Sequence, residues 1–214
     1  IQETYRLLAV AVVCAMATGW IGSRTPAIIE FFMTIPGLFV ALIGLNMIPA
    51  MAMKTARNNP KMGVAVLAVD GAMAGLVLSP LLFFGMVKSG LGEQAPNLVQ
   101  GALVITAFVF LGISGYVYKK GTAFTFKAGL MNGIFWSILG AVMVNVFFFH
   151  SGVLGMVITA GIGILGAAQL AYSTSQVLNN PSFRDPMLGA LCLFAGLFNL
   201  FQAILSILLR SGRR

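Results

Sequence analysis

The stretch MLGALCLFAGLFNLFQAILSILL, residues 187–209, decides the fold. It carries no charged side chain and is long enough to cross a bilayer, which takes about 20 apolar residues as a helix. On a helix, Gly189, Cys192, Gly196, Asn199, Ala203 and Ser206 fall at steps of three and four and share one stripe. Phe194, Leu197, Phe201, Ile204 and Leu208 lie away from that stripe. In lipid, helices associate through small residues that let backbones approach, and through a few interhelical hydrogen bonds. The stripe is therefore a packing seam. Two readings of it stay open: the helix is a central post for the others, or the seam is a contact with a single neighbour.

The whole 214-residue chain shares this character. It is 59% hydrophobic and 8% charged, against about 25% charged in soluble domains. The difference points to an all-α integral membrane protein. A surplus of 13 Lys and Arg over 5 Asp and Glu would suggest nucleic acid in a soluble protein. Here the basic residues sit between apolar runs, with no basic stripe and no interleaved aromatics, so nucleic-acid binding is excluded. Cys14 and Cys192 lie inside apolar segments and read as small buried residues, not as a disulfide. His150 is the lone histidine, and no Cys/His cluster has metal spacing, so neither metal nor cofactor is expected. The chain begins at Ile1, and its first apolar run is too long for a signal-peptide core, so it reads as a retained span.

Outward from the opening stretch, the apolar runs give seven expected spans: 5–21, 31–53, 62–87, 96–118, 124–149, 152–178 and 187–209. Short loops join them, which makes one seven-helix domain over 1–214 with no room for a soluble one. Pro49 loosens or kinks the second span, and Gly121 stops the fourth. Basic residues concentrate at Lys54, Arg57 and Lys61 and again at Lys119 and Lys120. The positive-inside rule places both loops in the cytoplasm, with the amino end cytoplasmic and the carboxyl end outside. Arg210, Arg213 and Arg214 count against that orientation, but an odd number of spans forces the ends apart.

Asp70 is the sharpest chemical signal, the only acid inside any expected span. A carboxylate at the centre of a membrane helix costs about 2.5–3.5 kcal/mol on insertion scales, and is tolerated when it faces a bundle interior, a partner or water. It is either a protonatable gate or cation site, or a packing aspartate held against Asn46, Asn199 or Gln202. Gly71 and Gly75 form a GxxxG step beside it, which reads as close helix contact. Gly161, Gly163 and Gly166 spell GxGxxG, but a dinucleotide fingerprint needs a strand before it and a helix after it. In mid-span these glycines are packing residues. His150 reads as an interfacial side chain, and Asn132 and Asn145 as groups that orient helices. No nucleophile with a base, no paired carboxylates and no phosphate loop are present, so no enzyme is expected.

At this point the chain resembles the Bax-inhibitor superfamily, and within it the bacterial YccA-like branch. The resemblance runs through Thr4-Tyr5-Arg6-Leu7-Leu8, Lys54-Thr55-Ala56 and the GLVLSP of 75–80. It continues through Tyr172-Ser173-Thr174-Ser175-Gln176-Val177 and Leu197-Phe198-Asn199-Leu200-Phe201 on the last two spans, all in order along the chain. It implies seven helices with the last in the middle of the other six. Several members of the superfamily are pH-sensitive calcium leak channels, gated by a proton shared between aspartates on the sixth and seventh helices. The matching positions here are Ser173 and Gly196, which carry no charge. The YccA-like branch also lacks the full pair and is linked to the membrane protease FtsH as substrate and modulator. That link relies on a cytoplasmic amino-terminal tail, and few residues precede Tyr5 here.

Two functions follow. One is a contact protein in the bilayer, binding other integral membrane proteins through helix–helix contacts: a modulator of an FtsH-type protease, or an accessory subunit of a multi-subunit complex. The other is a pH-sensitive calcium or proton leak with Asp70 as the protonatable group. A bacterial inner membrane is the expected location, with a mitochondrial inner membrane as the alternative.

Overall fold

The computed structural model describes residues 1–90, 97–121, 137, 140–142, 152–180 and 185–211. Backbone N–H and C=O groups find no water in hydrocarbon, so apolar runs of this length form helices that satisfy them internally. Six helices among the described residues are long and apolar enough to cross a membrane. They are α1 (Gln2–Gly22), α3 (Ile35–Asn58), α4 (Pro60–Gly90), α5 (Leu98–Lys120), α6 (Gly152–Asn179) and α7 (Pro186–Ser211). A short α2 (Pro26–Met33) lies between α1 and α3. The span expected at 124–149 lies outside the described residues, apart from Ser137 and 140–142, which are helical.

Side-chain caps set several helix starts. Asn59 Oδ1 accepts from the amides of Lys61 and Met62 at 3.2 and 3.4 Å, just ahead of α4. Asn97 Oδ1 accepts from Gln100 N at 3.3 Å before α5, and Asp185 Oδ1 from Met187 N at 2.9 Å before α7. Each satisfies a first-turn donor that has no partner inside its helix. Gly121 closes α5 with φ of 62°, a left-handed conformation open to glycine.

The second expected span needs a correction at its start. It does not run on from residue 31: Phe31 and Phe32 belong to α2, and the chain breaks at Thr34 before α3 begins at Ile35. Thr34 Oγ1 donates to Phe31 O at 2.7 Å and accepts from Gly37 N at 3.2 Å, ending one helix and capping the next. Pro36, in the first turn of α3, needs no intrahelical donor there. A side chain at residue 37 would meet Phe31 O at 2.0 Å, so the corner closes only on glycine.

Residue-level contacts give the helix directions. Gly71 and Gly75 of α4 face Ala11 and Ala15 of α1, so the two run parallel. Gly63 meets Ala56 and Gly44 meets Met73, so α3 and α4 run antiparallel. Gly189 meets Thr4 near the start of α1, and Gly155 meets Arg210 at the far end of α7. Hence α7 runs parallel to α1 and antiparallel to α6. Gly85 of α4 faces both Val99 of α5 and Leu205 of α7, so α5 starts at the face where α4 and α7 end.

The last helix packs against α1, α3, α4, α5 and α6, which is every other long helix described. Its contacts are therefore not pairwise. The core follows it: Leu191, Leu193, Phe194 and Leu200 are buried with Leu8, Leu67, Ala74 and Leu170.

At the face where α1 begins lie Arg6, Lys54, Arg57, Lys61, Lys119 and Lys120. The opposite face carries Arg24, Lys88 and Arg210. Two of these serve backbone carbonyls there: Lys88 Nζ donates to Leu209 O, and Arg210 Nη1 donates to Gly152 O at 2.9 Å.

Candidate functional site

The parallel pairing of α1 with α4 sets the site. On α4, Gly71 and Gly75 lie one turn apart and face α1 so closely that a Cβ would meet Ala11 O at 2.3 Å and Ala15 O at 2.2 Å. Thr18 Oγ1 donates to Ala72 O at 2.9 Å across the same interface. These contacts fix the rotation of α4 about its axis. Asp70, Ala74 and Val77, at steps of four and three, are then held on a different face. That face lines a cavity of about 560 Å³.

The cavity lies among α3, α4, α6 and α7 and also meets Val142. It brings together four residues singled out in the sequence: Asp70, Asn46, Asn199 and Gln202. Asp70 is 3% exposed, and among the described residues no side chain or backbone group bonds to its carboxyl. Asn46 does not sit deep in the bundle: it is solvent-accessible at the cavity, and its Nδ2 donates to Leu42 O of its own helix at 2.7 Å. One amide hydrogen is thus engaged on α3, which leaves Asn46 a second N–H and its carbonyl oxygen. Asn199 and Gln202 are half-buried.

Two further features join the site. Gln169 lines the cavity from α6. Its signal in the sequence was a lone amide in an apolar run, overshadowed by the GxGxxG glycines upstream. Pro49 and Leu45 also line it. Proline has no N–H to give the carbonyl four residues back, so Pro49 leaves Leu45 O without its helical donor.

The other residues of interest lie apart. Ser173 and Gly196, where the resemblance would put an acidic pair, do not line the cavity. Ser173 is 1% exposed, and its Oγ has no hydrogen-bond partner among the described residues. A Cβ on Gly196 would meet Leu170 N at 3.1 Å and Gly166 O at 3.2 Å, which is a backbone-to-backbone crossing of α6 and α7. Gly189 faces Thr4 and Val177, and Ala203 faces Gly163. Cys192 lines the cavity and Ser206 is half-buried. The seam of α7 is thus divided between a tight crossing with α6, a contact with α1 and the cavity. Among the described residues no cluster of three His, Cys, Asp or Glu side chains exists. His150, Asn132 and Asn145 lie outside the described residues.

Comparisons with known proteins follow the whole chain. A family model described as Inhibitor of apoptosis-promoting Bax1 matches residues 1–214. A protein of Pseudomonas aeruginosa is 29% identical over 209 residues, 97% of this chain and 87% of that one. The Escherichia coli K12 protein named Modulator of FtsH protease YccA is 29% identical over 174 residues, 81% of this chain and 75% of that one. Its counterpart in Escherichia coli O6:H1, with the same identity and coverage, is named Inner membrane protein YccA.

Proposed function

From the premise that this chain belongs to the family described as inhibitors of apoptosis-promoting Bax1, we propose that it works by helix contact with other integral membrane proteins. The role that fits best is modulator of an FtsH-type membrane protease, with accessory subunit of a larger membrane complex as the broader form. The similarity to the protein named Modulator of FtsH protease YccA supports the partner class. One observation carries the contact surface. Most glycines of α1, α4 and α7 are used up inside the fold, whereas on α5 a Cβ at Gly112 or Gly115 would meet nothing within 4 Å among the described residues. Phe108 and Leu111 beside them are 72% and 64% exposed. In lipid, a face of small residues is what lets a second helix approach.

The same reading takes the chain as one seven-span domain with the last helix central. The parity of the described helices supports it: α5 ends at the face where α1 begins, while α6 begins at the opposite one. Residues 122–151 join the two. The greater number of basic residues at the α1-start face supports a cytoplasmic amino end and an outer carboxyl end in a bacterial inner membrane. Lys88 and Arg210, engaged on carbonyls, weigh less against it.

The test is co-reconstitution of the full chain with a purified FtsH-type protease, reading degradation of a membrane substrate. The rate changes with the wild-type chain, and Gly112→Leu/Gly115→Leu removes the change. An unaltered rate at equimolar wild-type chain overturns the proposal.

A second reading, a proton or cation leak through Asp70, draws on the cavity. Flux into dye-loaded liposomes then falls in Asp70→Asn, and equal flux with and without the carboxylate ends it.

A further inference from the structure

We infer that the cavity beside Asp70 is a binding site for a monovalent organic ammonium: a cationic amine head on an apolar body. The inference is independent of the contact reading, and it needs no conduction.

The groups that face the cavity define the ligand. Asp70 supplies one carboxylate, almost wholly buried and unbonded among the described residues. Asn46 has one amide hydrogen engaged on Leu42 O, and with Gln169, Asn199 and Gln202 it adds carboxamides that accept through oxygen or donate through N–H. The carboxylate accepts only, no Lys, Arg or His among the described lining residues answers it, and the site therefore asks for a donor that carries positive charge. An ammonium head supplies up to three N–H donors and pairs with a carboxylate through charge-assisted bonds.

Size and lining exclude the simpler occupants. A volume of about 560 Å³ lies in the range of small-molecule sites, roughly 300–1,000 Å³, and far exceeds a bare ion. Calcium takes six to eight oxygen ligands, usually with several carboxylates. Here one acid faces the cavity, and no acidic cluster exists among the described residues. Apart from Asp70 and the carboxamides of Asn46, Gln169, Asn199 and Gln202, the described lining is apolar and partly aromatic. Phe194 and Phe198, with ring centroids 6.4 Å apart, stand on α7 beside Leu38 and Ile162. Apolar walls with a few placed polar groups are how proteins hold small amphipathic molecules, and aromatic faces attract a cation.

Cys192 lines the same cavity and provides the reporter. In a Cys14→Ala background, the full chain in nanodiscs is labelled with a maleimide in the presence of 2-phenylethylamine. The amine slows labelling of Cys192 saturably. Its uncharged counterpart, 2-phenylethanol, is weaker by about tenfold or more, as loss of a charge-assisted bond demands. Asp70→Asn weakens the amine by a similar factor. Ala195→Phe, which fills the lining without touching the carboxyl, abolishes protection. Equilibrium dialysis of radiolabelled amine reads the same comparisons if Cys192 resists the maleimide, and Ala195→Phe carries the test if Asp70→Asn fails to fold. Equal protection by amine and alcohol, amine affinity unchanged in Asp70→Asn or Ala195→Phe, no binding of the amine, or displacement of it by millimolar calcium chloride each overturns the inference.

Discussion

Gly75→Ala tests the element on which the site depends. A Cβ at this position meets Ala15 O and Thr18 Oγ1, both at 2.2 Å, and Gly19 N at 2.8 Å. Two of the three are backbone atoms of a helix, so no rotamer change relieves the clash. Ordinary contact begins near 3.4 Å, so α1 and α4 must part by about 1.2 Å. Overpacking of this kind costs about 1–3 kcal/mol. The same displacement pulls Thr18 Oγ1 from Ala72 O, a further ~0.5–1.5 kcal/mol. Together the loss is roughly 2–4 kcal/mol, read as unfolding free energy of the full chain in mixed micelles titrated with denaturing detergent. Gly112→Ala is the control. Nothing described lies within 4 Å of its Cβ, and alanine is the better helix former by about 0.5–1 kcal/mol, so that variant is unchanged or slightly more stable. If Gly75→Ala unfolds within about 0.5 kcal/mol of wild type, a difference typical of neutral surface changes, the account of the α1–α4 crossing is wrong.

Other outcomes follow from single contacts. Thr18→Val keeps the shape and removes the bond to Ala72 O; it costs about 0.6 kcal/mol, the average for interhelical bonds in a membrane, by the same titration. Ser173→Ala removes a buried hydroxyl that has no partner among the described residues, so stability holds or rises by a few tenths of a kcal/mol. Pro49→Ala restores a donor to Leu45 O and stabilises α3 by up to about 3 kcal/mol, by the same titration. Lys88→Met uncovers Leu209 O and lets the end of α7 fray, seen as faster amide exchange over its last turn in hydrogen–deuterium mass spectrometry.

Much of this architecture is written in the apolar runs, because lipid leaves the backbone no alternative to a helix. The closing stretch showed one stripe of small residues and left open whether it met one neighbour or many; its packing against five other long helices decides for many. Gly71 and Gly75 read as a close approach, though a spacing of four cannot name α1 as the partner. That pairing joins residues 54 positions apart, and only tertiary contact reveals it. The corner at Thr34 was legible in principle: a threonine two residues before a proline is a helix start. Hydrophobicity is blind to it, because Phe31, Phe32, Met33 and Ile35 are as apolar as the helix that follows. At the site, Asp70 stood out by its charge, and Asn46, Asn199 and Gln202 by their polarity. Gln169 did not, and Leu45 O could not: a backbone carbonyl has no letter in the sequence, only the proline that abandons it.

The distance along the chain between Thr18 and Ala72 also sets a clock. At ribosomal rates of about 5–20 residues per second, α1 waits roughly 3 to 11 seconds before the stretch that covers its glycine side is made. During that interval the first helix sits in the bilayer as an unclaimed surface, open to insertion factors and to quality-control proteases alike. Slow codons between them would lengthen the exposure without altering a single residue of the finished protein.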